Sequence, residues 1–418
     1  MQIQLMRAFV PRRGLWAIFF VSHFSLFVRA SGPLLSCQLI AMDDPFQAPV
    51  MELSQWHVEI GFDEMSHDYH RYCYHIEHCD AEWQPTDGLF ESNYLDGLND
   101  QPIEDYEKSF NTTQIYTHYT LHLPNDDTRL LLSGNYRVTI YDEDDDERKP
   151  LAVKQFSLVE PLMSVSATVD TNTDIDFQQS HQQVSLAVGY GSLHVSDPER
   201  ELRTYVMQNR LPDWRIGVQP NIRKAGGCEY THQRALIFPA TNEFHKFEQL
   251  DIRVANMNVD NIRWFDPYYH VTLYEEPVTR HYATETDTNG AYVLRNSDNE
   301  DNETTTEYAF FHFRLKSDPL PGGPVYVRGR WCDDWPSDDY KMQYDEQAGE
   351  YHLPLYLKLG YYNYQFVQLQ EQPDGTTRAI TDRTDGNFYQ TGNEYQVFVY
   401  YRQPGSRYDR LVGYTDIQ

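Results

Sequence analysis

Six residues within thirteen, His67, His70, Cys73, His75, His78 and Cys79 of "HDYHRYCYHIEHC" (67–79), are of the types that bind zinc. A tetrahedral zinc site needs four such ligands converging at about 2.0–2.3 Å. The stretch alternates as a strand does, which places Cys73, His75 and Cys79 on one face and His70 and His78 on the other. One extended strand cannot bring them together, so they are expected to be ordinary strand residues holding no metal. Cys73 and Cys79 would lie about 20 Å apart along that strand, too far to pair. Five cysteines at irregular spacing (Cys37, Cys73, Cys79, Cys228 and Cys332) are not a disulfide framework, and buried thiols are expected.

Other chemistry is equally thin. The sequence contains no G-x-S-x-G, H-E-x-x-H, P-loop or G-x-G-x-x-G. "GYGSLH" (189–194) lacks the third glycine and a following helix, and is expected to be a turn. The acidic run Asp142–Glu147 lacks the ordered ligand spacing of a calcium loop and suits a solvated hairpin tip. Carboxylate pairs of the glycosidase kind are everywhere in so acidic a chain, so no single pair is informative. Asn111-Thr112-Thr113 and Asn302-Glu303-Thr304 are sequons, with meaning only in a eukaryotic secretory path. No catalytic, cofactor-binding or metal-binding residue is expected, and the chain is not expected to be an enzyme.

One strand invites a different chemistry. In "GYYNYQFV" (360–367), Tyr362, Tyr364 and Phe366 share a face, opposite Tyr361, Asn363, Gln365 and Val367. The aromatic row is either a sugar-stacking platform, with Trp331 and Trp335 nearby, or the core of a small β-sandwich. The second is favoured, which leaves the mixed face as the more open one.

The elements that would position these residues are strands. Aromatics make up 14% of the chain, with 32 Tyr, and such residues fit a pleated, half-buried surface. Alternating runs such as "MELSQWHVEIGF" (51–62), "YTHYTLHLP" (116–124), "QVSLAVGY", "YYHVTLYEE" and "NEYQVFVYY" are separated by turn residues. "DPERELRTYVMQN" (197–209) begins like a helix, but Leu202, Thr204 and Val206 alternate, and a strand is expected. "ETDTNG" and "NSDNEDNETTTE" (296–307) read as hydrated, mobile loops. The expected fold is all-β, with tandem immunoglobulin-like β-sandwiches at 31–160, 161–317 and 318–418 following a cleaved signal peptide at 1–30.

That signal rests on Arg7, Arg12 and Arg13 before the apolar "LWAIFFVSHFSLFV", with Val28-Arg29-Ala30 offering a cleavage site. "LLSC" ending at Cys37 partly resembles a lipobox, but Arg29, Ser31, Gly32 and Pro33 break the preceding apolar run. A lipid at Cys37 is the lesser expectation. With 63 Asp+Glu against 34 Lys+Arg, the chain lacks the basic face that nucleic acid or an anionic membrane requires.

Two dense stretches carry a resemblance. "YHIEHCDAEWQPTDGLFESNYLDGL" through "LSGNYRVTIYD" (74–142) and "FHKFEQLDIRVANMNVDNI" through "RYDRLVGY" (244–414) resemble the plug protein of the bacterial type IX secretion system. The most specific matches are His78-Cys79-Asp80 before Trp83, Ser109-Phe110-Asn111-Thr112, Ser133-Gly134-Asn135-Tyr136, Asp251-Ile252-Arg253 and Arg407 to Tyr414. The resemblance implies a non-enzymatic periplasmic protein that closes the idle outer-membrane β-barrel translocon of that system. A second resemblance is confined to the last hundred residues, where "VYVRGRWCDDW" and "GYYNYQF" are similar to glycogen- and starch-binding modules. Gln365 departs from that pattern, where Lys is usual. It implies a glycan-binding alternative that depends on Trp331, Trp335 and a strand tyrosine forming an exposed platform.

Overall fold

A computed structural model describes residues 34–372 and 375–418, so the expected signal peptide at 1–30 lies outside the described residues. The described chain is built from strands, as the alternation predicts, and its helices are single turns. In Tyr308–Lys316, for instance, Phe311, Phe313 and Leu315 are fully buried, while His312 and Arg314 face outward. None of the described helices is long and apolar enough to cross a membrane.

The first sandwich packs Leu34–Ala41, Val58–Glu64, Thr117–Leu123 and Asp105–Lys108 against a second sheet. That sheet contains Val50–Glu52, Ala152–Val159, Gly134–Asp142, Tyr72–Cys79 and Gln101–Pro102. Ile60, Phe62, Tyr74, Ile76, Tyr119, Tyr136 and Phe156 fill the space between them. Asp142–Glu147 falls between Gly134–Asp142 and Ala152–Val159, at the tip of that hairpin.

The expected boundary at 317/318 does not follow the sheets. Ser164–Asp170, His181–Gly189, Gly227–Tyr230 and Ile222–Lys224 form one sheet of the second sandwich. The other sheet joins Arg215–Val218 and Leu202–Gln208 to Tyr395–Tyr401 and Arg410–Ile417, from the far end of the chain. The third sandwich, His245–Gln249 to Thr377–Ile380, is therefore inserted into the second. Antiparallel pairing of Leu202–Gln208 with Tyr395–Tyr401 is non-local, so a strand pattern read along the chain could not locate it. In the 197–209 segment both sequence signals are realised, as Pro198–Glu201 makes one helical turn before the strand Leu202–Gln208.

Within the third sandwich, Gly360–Glu371 is the central strand, paired with His245–Gln249, Tyr292–Leu294, Val325–Arg328 and Thr377–Ile380. Tyr362, Tyr364 and Phe366 point into the core, as expected. The opposite face is not open. Asn363 and Gln365 are buried as well, because segments of the insertion's edges cover them. The Gln365 amide donates to Asn242 O at 2.7 Å, and Asn363 Oδ1 accepts from Thr288 N at 2.6 Å.

Candidate functional site: the junctions between sandwiches

Three of the motifs that stood out in the sequence, at 78–80, 133–136 and 407–414, meet in space. Tyr72–Cys79 ends in a tight turn, Gly134–Asp142 begins beside it, and the last strand of the chain, Arg410–Ile417, packs against Gly134–Asp142 and Ala152–Val159. Asn135 is fully buried, and its Oδ1 accepts from Tyr400 OH and from Ser157 OH, each at 2.8 Å. The Asn135 amide donates to Asp80 O at 2.8 Å. Asp409, also fully buried, accepts from Ala81 N at 3.1 Å and Arg402 Nε at 2.6 Å. Arg410 reaches Glu160 at 3.0 Å, and Ser133 donates to the same carboxylate at 2.7 Å.

His78 sits at the centre of this junction. Its Nε2 donates to Ser133 O at 3.3 Å, because a carbonyl can only accept, and its Nδ1 then accepts from the Thr86 hydroxyl at 2.8 Å. The Tyr408 ring meets it edge-on at 5.5 Å. Burial pushes the imidazole down to about 4, so it is neutral and both nitrogens are used structurally. Gly134 explains the small residue beside it. At φ +140 a Cβ would lie 2.5 Å from the His78 ring and 3.2 Å from Asp409 O. Ala81, Val159, Phe398, Tyr400 and Leu411 add an apolar cluster to the same contact.

A second junction joins the first and third sandwiches through a buried ion pair. Lys358 Nζ lies 2.7 Å from Asp63 Oδ2, and both side chains are essentially inaccessible. Asp63 also accepts from Tyr308 OH at 2.6 Å and contacts His118 Nδ1 at 2.6 Å. Burial by itself would raise the Asp63 carboxyl, but Lys358 and His118 outweigh it and hold it below the usual carboxylate range. Lys358 donates further to Glu303 O at 2.7 Å and stands 4.3 Å above the Tyr116 ring.

The 296–307 segment, expected to be a hydrated and mobile loop, instead forms part of this junction. Thr304, Thr306 and Glu307 are buried. Phe110 N donates to Thr304 O at 2.9 Å, Tyr116 OH to Thr306 O at 2.9 Å and Thr113 N to Glu307 at 2.6 Å. Residues 297–301 are exposed to water as expected, and only the end of the segment meets the other sandwich, a division that composition alone does not reveal. The "SFNT" motif (109–112) is thereby the first sandwich's half of the clasp. The second and third sandwiches are tied by Arg328 to Asp213 and by Trp214 Nε1 to Ala379 O at 2.8 Å.

The remaining sequence candidates separate. Trp331 is buried, stacks on Phe313 at 5.9 Å, meets Tyr362 edge-on at 5.6 Å and donates its indole N–H to Asn363 O at 2.8 Å. Trp335 is half-buried against Tyr326 and Tyr340. The exposed platform that a sugar site requires is not formed by these residues. Within the 67–79 cluster, His75 pairs with Asp100 at 3.0 Å, His67 with Ser109 at 3.1 Å, and Cys73 and Cys79 are buried apart. Cys37 is held in the first core, and burial pushes its thiol up to about 12. A lipid at Cys37 is not shown, and the strand Leu34–Ala41 that carries it pairs with Val58–Glu64. Asp409 lay within the Arg407–Tyr414 motif, whereas Asp63 and Lys358 were not singled out in the sequence. Asp63 and Lys358 are 295 residues apart, and neither carries a local signal.

Comparison with known proteins bears on these junctions. The family described as type 9 secretion system plug protein, 1st domain, matches residues 34–160, the span of the first sandwich. The crystal structure of a hypothetical protein from Parabacteroides merdae is similar over most of its length. It shares 36% identity, with a TM-score of 0.88, over 92% of this chain and 97% of that one. No curated protein matches the sequence.

Proposed function

From the premise that the chain belongs to the type IX secretion system plug protein family, we propose that it is a non-enzymatic stopper for that system's outer-membrane translocon barrel. The observation that carries this is the match of the whole first sandwich to the family's first domain. In this reading the protein is periplasmic, its partner is the periplasmic opening of the barrel, and it acts by steric occlusion. A wide barrel holds water and leaks solutes unless its lumen is closed. Closing it needs shape and stiffness, and no chemistry.

The junctions support the stiffness. Three sandwiches joined by loose linkers would move as separate domains. Here each pair shares buried hydrogen-bonded groups, which lose their partners if the sandwiches separate. Nucleic acid has no place in this reading, given a formal charge of −29, and contact with the membrane is only through the barrel. Glycan binding through Trp331 and Trp335 loses its support, since Trp331 is committed to the core.

Affinity capture from native cell envelopes tests the proposal. Recovery of a very large outer-membrane β-barrel, and increased passage of large solutes when the protein is lost, are expected. Recovery of polysaccharide alone, or unchanged permeability, would overturn it.

A further inference from the structure

The second sheet of the third sandwich has one face in the core and one facing outward. Its strands run in the order Val259–Phe265, Tyr268–Leu273, Tyr308–Lys316, Glu350–Lys358 and Gln343–Asp345. Val271, Phe311, Phe313 and Leu315 point into the core, and alternation turns His270, Thr272, His312 and Arg314 the other way. Asn261 and Arg263 pair with Thr272 and His270, and Thr272 lies beside His312. Thr272, the smallest of these side chains, leaves a depression of about 480 Å³ that Asp260 and Phe265 also border. This volume is within the range of small-molecule sites, about 300–1,000 Å³. Every residue around it has surface open to solvent. The depression shares no residue with Trp331, Trp335 or the strand Gly360–Glu371.

Three features define what it would take. The first is free hydrogen-bonding capacity of both senses. Among the described residues, the Arg263 guanidinium and the Thr272 hydroxyl have no partner. The Asn261 side chain makes one bond, from its amide to Asp260 Oδ2 at 2.9 Å, which leaves its own oxygen free. The second is a balance of charge. Arg314 is held by Glu350 at 2.8 and 2.9 Å and by Glu275 at 3.3 Å, and Lys316 lies 3.7 Å from Glu275. Arg263 and Asp260 are the remaining lining charges, of opposite sign. Asp266 beside Phe265 and Asp345 near His352 add carboxylates only at the margins. An anion meets those carboxylates and a cation meets two guanidinium groups, so a neutral ligand is favoured.

A ladder of imidazoles supplies the third feature. His270 Nδ1 lies 2.8 Å from His312 Nε2, and His312 Nδ1 lies 2.8 Å from His352 Nε2. Burial pushes His312 down to about 3 and lowers His270 and His352, so all three are neutral at neutral pH. A neutral imidazole donates from one nitrogen and accepts at the other, so the ladder runs in a single direction. His270 Nε2, at the end of the ladder, is a donor in one direction and an acceptor in the other. A hydroxyl fits both, because it donates and accepts. Phe310 stacks on the His270 ring at 5.2 Å and fixes its plane. Phe265 meets the same ring edge-on at 5.2 Å and leaves exposed apolar surface beside these polar groups.

We infer that the depression over Thr272 is a binding site for a neutral sugar ring. Its hydroxyls bond to Asp260, Asn261, Arg263, Thr272 and His270, and its C–H face packs on Phe265. A pyranose combines closely spaced hydroxyls with such a face, whereas an apolar ligand would leave these polar groups unmatched. Free sugars and the units of a glycan chain present the same chemistry. The inference goes beyond the stopper reading and does not depend on it.

Saturation-transfer NMR and calorimetry measure binding of glucose, galactose, mannose, N-acetylglucosamine, maltotetraose and chitotetraose to the folded protein. Sorbitol, glucuronate and the peptide acetyl-Gly-Ser-Gly-amide are the controls. Crystals soaked with the tightest sugar locate it. Saturable binding of at least one sugar in this depression is expected, tighter for a tetrasaccharide if the source is a glycan chain and no tighter if it is a free sugar. Phe265→Ala and Arg263→Ala, both at exposed positions, should each weaken binding about fivefold or more. Phe177→Ala, at an exposed position in the second sandwich, should leave it unchanged. Circular dichroism and melting temperature report whether the variants fold, and the soaked crystals need no variant. No saturable binding of any sugar, a ring located elsewhere, a control that binds as tightly as the best sugar, folded Phe265 and Arg263 variants that bind normally, or an equal loss in Phe177→Ala would each overturn the inference.

Discussion

Removing both members of the Asp63–Lys358 pair should loosen the first and third sandwiches by less than the sum of removing each alone. Each side chain is buried, and three partners within 2.7 Å converge on the carboxylate. Asp63→Asn leaves the Lys358 ammonium facing an amide and the Glu303 carbonyl, without its counter-charge. Breaking a buried pair in this way costs about 3–5 kcal/mol. Lys358→Met leaves Asp63 charged, but His118 and Tyr308 still contact it, so its cost should fall at the lower end of that range. The double variant leaves no uncompensated charge, and its cost should be about 1–3 kcal/mol below the sum of the two singles. Guanidinium unfolding gives the cycle, and hydrogen exchange at the Phe110 and Thr113 amides, which bond to the 296–307 segment, reports the junction itself. The pH dependence adds a sign. Because the folded carboxyl is held below its ordinary value, its stabilisation is present above the unfolded pKa and is lost as pH falls through the folded one. Asp63→Asn should therefore flatten the acid limb of stability. Single variants that each cost under about 1 kcal/mol, or costs that add within about 0.5 kcal/mol, would refute the reasoning.

Three further outcomes are expected. Gly134→Ala should destabilise by at least about 1–3 kcal/mol in thermal melts, since the new Cβ meets the His78 ring and Asp409 O at a positive φ. Burial pulls the His245 imidazole down, but the Asp385 carboxylate at 3.0 Å outweighs it and pushes the group up to about 9. Its stabilisation is then fully present below about pH 6.5 and lost as pH rises toward 9, a decline that His245→Gln should remove in melts run from pH 6 to 10. The five described cysteines are buried, with Cys37 and Cys79 pushed up to about 12 by burial, so none should react with iodoacetamide at pH 8 until denaturant is added. Mass spectrometry of alkylated native and unfolded protein checks this.

The period-two alternation of aromatic and branched residues made the all-β class legible, because side-chain direction in a strand depends only on neighbouring positions. It also placed Tyr362, Tyr364 and Phe366 in a core. "HCD", "SGNY" and "RYDRLVGY" stood out as separate motifs, but nothing local showed that His78, Asn135, Tyr408 and Asp409 share one junction. That convergence depends on how the C-terminal strands are routed.

The first of those strands, Tyr395–Tyr401, pairs with Leu202–Gln208 across nearly two hundred residues, and the same closure makes the third sandwich an insertion. Tertiary contact likewise decided the end of the 296–307 segment, where Thr304 and Glu307 accept from another sandwich's backbone, and the buried second face of "GYYNYQFV". Asp63 and Lys358 are plain strand residues until the fold takes both from water and leaves each as the other's counter-charge. Alternation is a property of adjacent residues and survives in one dimension. Pairing between distant groups depends on which surfaces the folded chain brings together, and so it belonged to the structure alone.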